Sequence, residues 1–236
     1  MSGWRLDRWT DPRLMPASRI GLLGGSFDPP HLAHLALARV AAQALALDEL
    51  RWLPAGAPWQ KAGREMAPAA HRAAMLAELL ADMPAEESAG EPANPARQVI
   101  DGRELHRSGP TYTIDTVREL QAEQPGADWF FILGQDQYAR FDTWRGWPEL
   151  LQRLTLAVAG RGGQPPTPPA ALAAVPHRVV ALDLPRQDIA ASDIRARQAA
   201  GQPVAALVGK RVAGYIDQHQ LYKPGVMPEH QRTTGH

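Results

Sequence analysis

The chain has 236 residues, 44% of them hydrophobic, which suffices for one large α/β domain or two small ones and is too apolar for wholesale disorder. Lysine plus arginine balances aspartate plus glutamate at 25 each, so no global positive field marks a nucleic-acid binder, and any anion site has to be local. Cysteine is absent, which excludes disulfides and thiol catalysis; no apolar run is long enough for a membrane span and residues 1–18 hold no apolar signal core, so a cytoplasmic setting is expected.

Residues 1–18 carry Trp4, Trp9, Pro12 and Pro16 without periodicity and read as an extension ahead of a domain spanning 19–222. Ile20 to Leu23 is a short apolar run that suits a buried first strand of a parallel sheet. Gly24 and Gly25 predict a sharp turn there, with backbone amides and the Ser26 hydroxyl turned toward phosphate oxygens. Pro29 and Pro30 then place a helix start near His31, where unsatisfied amides favour an anion. His31 and His34, three apart, are expected on one helix face, directed at one phosphate, where imidazole donors stabilise a pentacoordinate transition state. A zinc site is the competing reading of two such histidines, but cysteine is absent and no third ligand stands at an obvious spacing.

The run Gly24-Gly25-Ser26-Phe27-Asp28-Pro29-Pro30-His31-Leu32-Ala33-His34 resembles the His-x-Gly-His signature of a nucleotidyltransferase superfamily, with Ala33 where glycine is usual. The resemblance implies that Gly24, Gly25, Ser26, Phe27, His31 and His34 bind ATP and that the two histidines act on its α-phosphate.

His34 to Leu47 reads as a helix with a broad apolar face, and Leu50 to Pro54 as a second strand. The loop beyond it holds Lys61, at the place where a strand end opens onto a ligand crevice. Here the chain resembles the basic Pro-Pro-His-Lys segment of nicotinate-nucleotide adenylyltransferases, which implies contact with the mononucleotide and a catalytic role for Lys61. Pro68 to Met83 is an amphipathic helix in which Arg72 is expected to be structural. Residues 84–97 read as a surface loop and Gln98 to Asp101 as a short strand.

Thr113 is placed to cap a helix running to about Gln124. The preceding Thr111-Tyr112-Thr113 resembles the pyridine-recognition segment of the same family, which assigns Tyr112 and Thr113 to nicotinate mononucleotide. Trp129 to Leu133 is the clearest buried strand, and Gly134-Gln135-Asp136 at its end suits a ribose, the family's adenosine ribose by resemblance. Trp144 matches a family tryptophan that lies against the pyridine ring, and Arg161, after a strand from Leu154 to Ala159, resembles a family Arg-x-Gly segment, which assigns it to the mononucleotide. Packing against the next helix is the competing reading of Trp144.

His177 to Leu182 reads as a last strand. It leads into Ile189-Ala190-Ala191-Ser192-Asp193-Ile194-Arg195, which resembles the family's Ile-Ser-Ser-Thr-x-Ile-Arg and implies that Ile189, Ser192 and Arg195 hold ATP, Arg195 clamping its phosphates. Gly201-Gln202-Pro203 stops that helix, Val208 to Gln218 forms the final one, and residues 223–236 are expected to be a disordered tail.

The alternation of strands and helices predicts a single Rossmann-like, doubly wound α/β domain with a mostly parallel sheet. The resemblance implies a cytoplasmic enzyme of NAD biosynthesis that joins ATP and nicotinate mononucleotide. Mg²⁺ would arrive with ATP, so no side chain is assigned to metal. The alternatives are a sister transferase that accepts nicotinamide mononucleotide or another phosphate monoester, and an ATP-binding module without turnover. Oligomeric state is not encoded in any motif.

Overall fold

The computed structural model describes residues 17–56, 66–83, 96–160 and 164–223. Strands and helices alternate through it. The strands are β1 (Arg19–Gly25), β2 (Glu49–Pro54), β3 (Arg97–Ile100), β4 (Asp128–Gly134), β5 (Thr155–Ala159) and β6 (Val179–Leu182). They form one sheet in the order β3-β2-β1-β4-β5-β6, and every pairing is parallel. The order reverses between β1 and β4, so the crevice for a ligand lies above the carboxyl ends of those two central strands.

Alternation along each strand explains the two layers of helix. On β4, Phe130 and Ile132 face one side while Trp129, Phe131 and Leu133 face the other; β5 divides likewise into Ala157 and Ala159 against Leu156 and Val158. The first face is covered by α1 (Leu32–Ala44), α2 (Ala69–Ala81) and α9 (Lys210–Gln218), through Ala38, Ala41, Met75, Leu76, Leu79, Val212 and Ile216. The second is covered by α3 (Thr113–Glu123) and α5 (Trp147–Arg153), through Val117, Leu120, Leu150 and Leu151. Short helices α4 (Gln135–Tyr138), α6 (Ala170–Ala173) and α8 (Ala205–Val208) fill the connections, and α7 (Ala191–Ala199) follows the β6 strand. Among the described residues no helix is long and apolar enough to cross a membrane.

Several local expectations need correction. Gly24 and Gly25 do not turn; both continue β1 to its end. The turn is made by Phe27, at φ 48°, and the missing side chain at Gly25 makes room for its ring, because a Cβ there would lie 3.1 Å from Phe27 Cζ. His31 is not in the helix but caps α1 in extended conformation. Thr113 is the first helical residue of α3 rather than its cap, which is Tyr112, with the Tyr112 carbonyl already accepting from Asp115 and Thr116. The last helix is interrupted at Gly209, whose φ of 87° suits no other residue, so α8 and α9 are separate.

Arg72 ties the loops that build the crevice. It is only 1% exposed, and its guanidinium donates to the carbonyls of Ser26 (2.7 Å), Ala55 (2.7 Å), Gly56 (3.1 Å) and Ala67 (3.0 Å). These carbonyls belong to the connections after β1 and β2, so one α2 side chain fixes two loops against each other. Burial lowers its pKa and the negative charge of Asp28 opposes that shift. Replacing it by methionine fills the volume but leaves those carbonyls without their donor and Asp28 without its facing charge. Arg72→Met is expected to cost about 3 to 5 kcal/mol in urea unfolding. A loss under about 1 kcal/mol would mean that the loops are held by other contacts.

Candidate active site

A cleft of about 1030 Å³ opens over the carboxyl ends of β1 and β4. Its floor includes Leu23, Gly24, Gly25 and Ser26 from the end of β1, together with Phe131 and Gly134 from β4. A Cβ at Gly134 would meet nothing within 4 Å, so the backbone there is open to close approach. Its volume is at the upper end for small-molecule sites and suits two ligands side by side.

His31 and His34 stand at the start of α1 in the cleft wall. Their rings are stacked, centroids 3.7 Å apart and tilted by 30°. The backbone N–H of His31 donates to His34 Nδ1 at 3.1 Å, so a neutral His34 carries its proton on Nε2. Phe27 meets His34 edge-on at 5.1 Å and holds the ring from below. His31 is 8% exposed, and among the described residues its Nδ1 has no hydrogen-bond partner. Burial pushes its pKa down to about 4, so at neutral pH the imidazole is uncharged and offers a hydrogen bond rather than a formal charge. The two imidazoles lie side by side in the cleft wall, with His31 at the cap of α1 rather than on its face.

Asp28 holds the turn that presents them. It is 2% exposed; Oδ1 accepts from Ala67 N–H at 3.2 Å and from Tyr222 O–H at 2.8 Å. Arg195 donates to the Asp28 carbonyl at 2.5 Å and lies 3.7 Å from Oδ2. Arg195 is thus tied to the loop that carries His31 and is not among the residues that line the cleft, although its partner Asp28 is. Ser192 is not in the wall either, and donates to Asp193 at 3.2 Å. The reason is the extended cap at Ala190, which puts Ala190, Ala191 and Asp193 toward the cleft.

The other assigned residues divide. Ile189 and the adjoining Leu184 to Asp188 form the wall at the β6 end, and Gln135 and Asp136 continue it from β4. Thr113 and Trp144 line the opposite part. Trp144 stacks on Phe141 at 5.0 Å and meets Phe131 edge-on at 5.6 Å, so the indole is fixed by the core while it borders the cleft. Tyr112 is turned away under the Arg145 guanidinium, 4.6 Å from the ring centre. Lys61 and Arg161 lie outside the described residues. Among the described residues no group of three or more His, Asp or Glu is gathered for a metal ion.

Sequence reading missed Asp28, Glu104 and Thr111, all buried and all in the cleft wall. Asp28 lay inside the recognised motif, where its neighbours drew the attention. Thr111 likewise lay inside the recognised Thr111-Tyr112-Thr113 segment, whereas Glu104 sits in an irregular segment whose partners are set by the fold.

A protein-family model described as cytidylyltransferase-like matches residues 22–197. A probable nicotinate-nucleotide adenylyltransferase from Methylibium petroleiphilum is 49% identical over 213 residues, covering 89% of this chain and 94% of that one. Another from Bordetella petrii is 48% identical over 209 residues, covering 87% and 99%. Among solved structures, the nicotinic acid mononucleotide adenylyltransferase of Plasmodium falciparum complexed with NaAD aligns with a TM-score of 0.69 at 18% identity, over 87% of this chain and 97% of that one, a likeness of fold. With a glycine-lined strand end, a stacked histidine pair at the next helix start and relatives this similar over most of their length, the chain belongs to the nicotinate-nucleotide adenylyltransferase family.

Proposed function

We propose that the chain transfers the adenylyl group of ATP to nicotinate mononucleotide, forming nicotinate adenine dinucleotide and pyrophosphate for NAD biosynthesis. The observation that carries this reading is the close His31 and His34 pair in the wall of a cleft of about 1030 Å³. Relatives that share about half of this sequence carry that enzyme's name.

A 5′-phosphate oxygen of the mononucleotide attacks the α-phosphorus of ATP; the new P–O bond forms as the bond to the bridging oxygen breaks, and pyrophosphate leaves with that electron pair. No general base is required, since a phosphate monoester is already anionic near neutral pH. The adenosine half lies toward Gly134, Asp136 and Ile189, and the pyridine half toward Thr113 and Trp144. Neutral His31, together with His34, donates to the oxygens on which charge develops, aided by the amide ends of α1. Lys61 is the proposed cation for the departing pyrophosphate. Arg195 acts through Asp28, holding the loop that presents His31. Mg²⁺ bound with ATP would offset the charge of its phosphates, with no described side chain assigned to hold it.

Pyrophosphate release with Mg-ATP and either nicotinate mononucleotide, nicotinamide mononucleotide or phosphopantetheine tests the reading; turnover with the first alone is expected, and turnover only with another acceptor replaces the substrate. His31→Ala is expected to lower turnover by about 100- to 1000-fold while the circular dichroism spectrum and unfolding midpoint are kept. A variant within about threefold of wild type would remove His31 from the mechanism.

The lowered pKa of His31 also sets an acid limit. The unfolded chain takes up a proton at His31 near pH 6.5 and the folded chain only near 4, so protonation favours unfolding between those values. The stability that His31 contributes is complete above about pH 6.5 and is lost as pH falls toward 4. Between pH 7 and 4.5, wild type should lose about 2 to 3 kcal/mol more than His31→Gln in urea unfolding. Equal losses would show that the ring titrates normally.

A further inference from the structure

Glu104 is a buried carboxyl group in the cleft wall that the proposed chemistry does not use; it is 7% exposed. It lies on the connection between β3 and α3, at the opposite edge of the sheet from the β6 connection. Its Oε1 accepts from the Thr116 hydroxyl at 2.7 Å, and that hydroxyl accepts in turn from Arg107 Nη1 at 2.7 Å. Thr116, in the first turn of α3, has no exposed surface. A carboxyl and a guanidinium are thus joined through one hydroxyl, and Arg107 is pinned further by Glu119 at 2.6 Å. Burial raises the pKa of Glu104 and its hydrogen bond from Thr116 opposes that.

A third segment meets the same residue. The β2 loop packs on the backbone of Glu104 so closely that a Cβ at Gly56 would fall 2.1 Å from the Glu104 carbonyl oxygen. Gly56 itself is held by Arg72. Glu104 therefore stands where the β2 loop, the β3 connection and the start of α3 converge, and it lines the same cleft as Thr111 and Thr113.

We propose that Glu104 is a positioning residue for the acceptor: through the Thr116 hydroxyl it fixes the Thr111 to Thr113 wall and so sets the affinity for the pyridine mononucleotide, without acting on the transferred phosphorus. This inference rests on the adenylyl-transfer reading above. Thr116→Val keeps the shape of the buried side chain and deletes the relay; Glu104→Ala deletes its other end; Glu104→Gln keeps an oxygen that accepts from Thr116.

The test is steady-state kinetics of the full chain with Mg-ATP and nicotinate mononucleotide, each substrate varied in turn. Thr116→Val and Glu104→Ala are expected to raise KM for the mononucleotide by about tenfold or more, with KM for ATP and kcat within about threefold of wild type. Glu104→Gln should recover a mononucleotide KM within about threefold of wild type. The proposal is overturned if the mononucleotide KM is unchanged in both deletions, if KM for ATP and kcat move in parallel with it, or if glutamine does no better than alanine. Should Glu104→Ala not fold, Thr116→Val alone decides. Wild type that turns over normally while Thr116→Val behaves like it defeats this inference alone; wild type inactive with every pyridine mononucleotide defeats the reading beneath it as well.

Discussion

The site depends on one buried cation. Arg72 reaches from α2 under the crevice and takes the carbonyls of Ser26, Ala55, Gly56 and Ala67, groups that have no strand partner because their loops have just left the sheet. Buried carbonyls without donors are costly, and a flat guanidinium with five fixed N–H groups satisfies several at once where an ammonium would not. The charge is itself balanced by Asp28, which Arg195 and Tyr222 also approach, from α7 and from beyond α9. Elements far apart in sequence are thereby joined at the turn before His31. A loop with no regular hydrogen-bonding pattern becomes as fixed as the strand it leaves.

That rigidity bears on the electrostatics. Lysine and arginine are balanced by acidic residues over the chain, and the buried His31 ring does not add formal charge at neutral pH. Attraction for phosphate then has to come from oriented dipoles, which work only if their geometry is held. His34 illustrates the arrangement: its Nδ1 accepts from the His31 amide, so in the neutral ring the proton sits on Nε2. Fixing one side of the ring selects the chemistry of the other.

The single sheet and its mostly parallel pairing followed from short apolar runs alternating with amphipathic helices, because burial on both faces leaves a pattern in the sequence. Gly24 to His34 was legible as a phosphate site because a motif concentrates its residues within one turn. The role given to Gly24 and Gly25 was wrong in detail, since a glycine can serve by its own freedom or by yielding space to a neighbour, and only the position of the Phe27 ring separates the two. Arg195 was read as facing phosphate from its place one turn into α7; its actual partner, Asp28, is 167 residues away, a separation over which sequence spacing carries no direction. Thr113 as a cap failed by one residue, the usual uncertainty of a helix end.

The helix starts around the cleft have a common property. α1, α3 and α7 begin on His31, Tyr112 and Ala190, none of which is a serine, threonine, asparagine or aspartate. A serine or aspartate at such a position would typically stabilise the helix by about 1 kcal/mol, yet it would also occupy the first amides. All three starts border the cleft, through His31, Thr113 and Ala191. On the proposed reaction those amides face phosphates and a carboxylate, so the stabilisation forgone in the folded chain is recovered when the nucleotides supply the acceptors. The alanine at position 190, which removes a hydroxyl from the second signature, then withholds one side-chain contact and leaves the helix dipole and its amides directed at the same place.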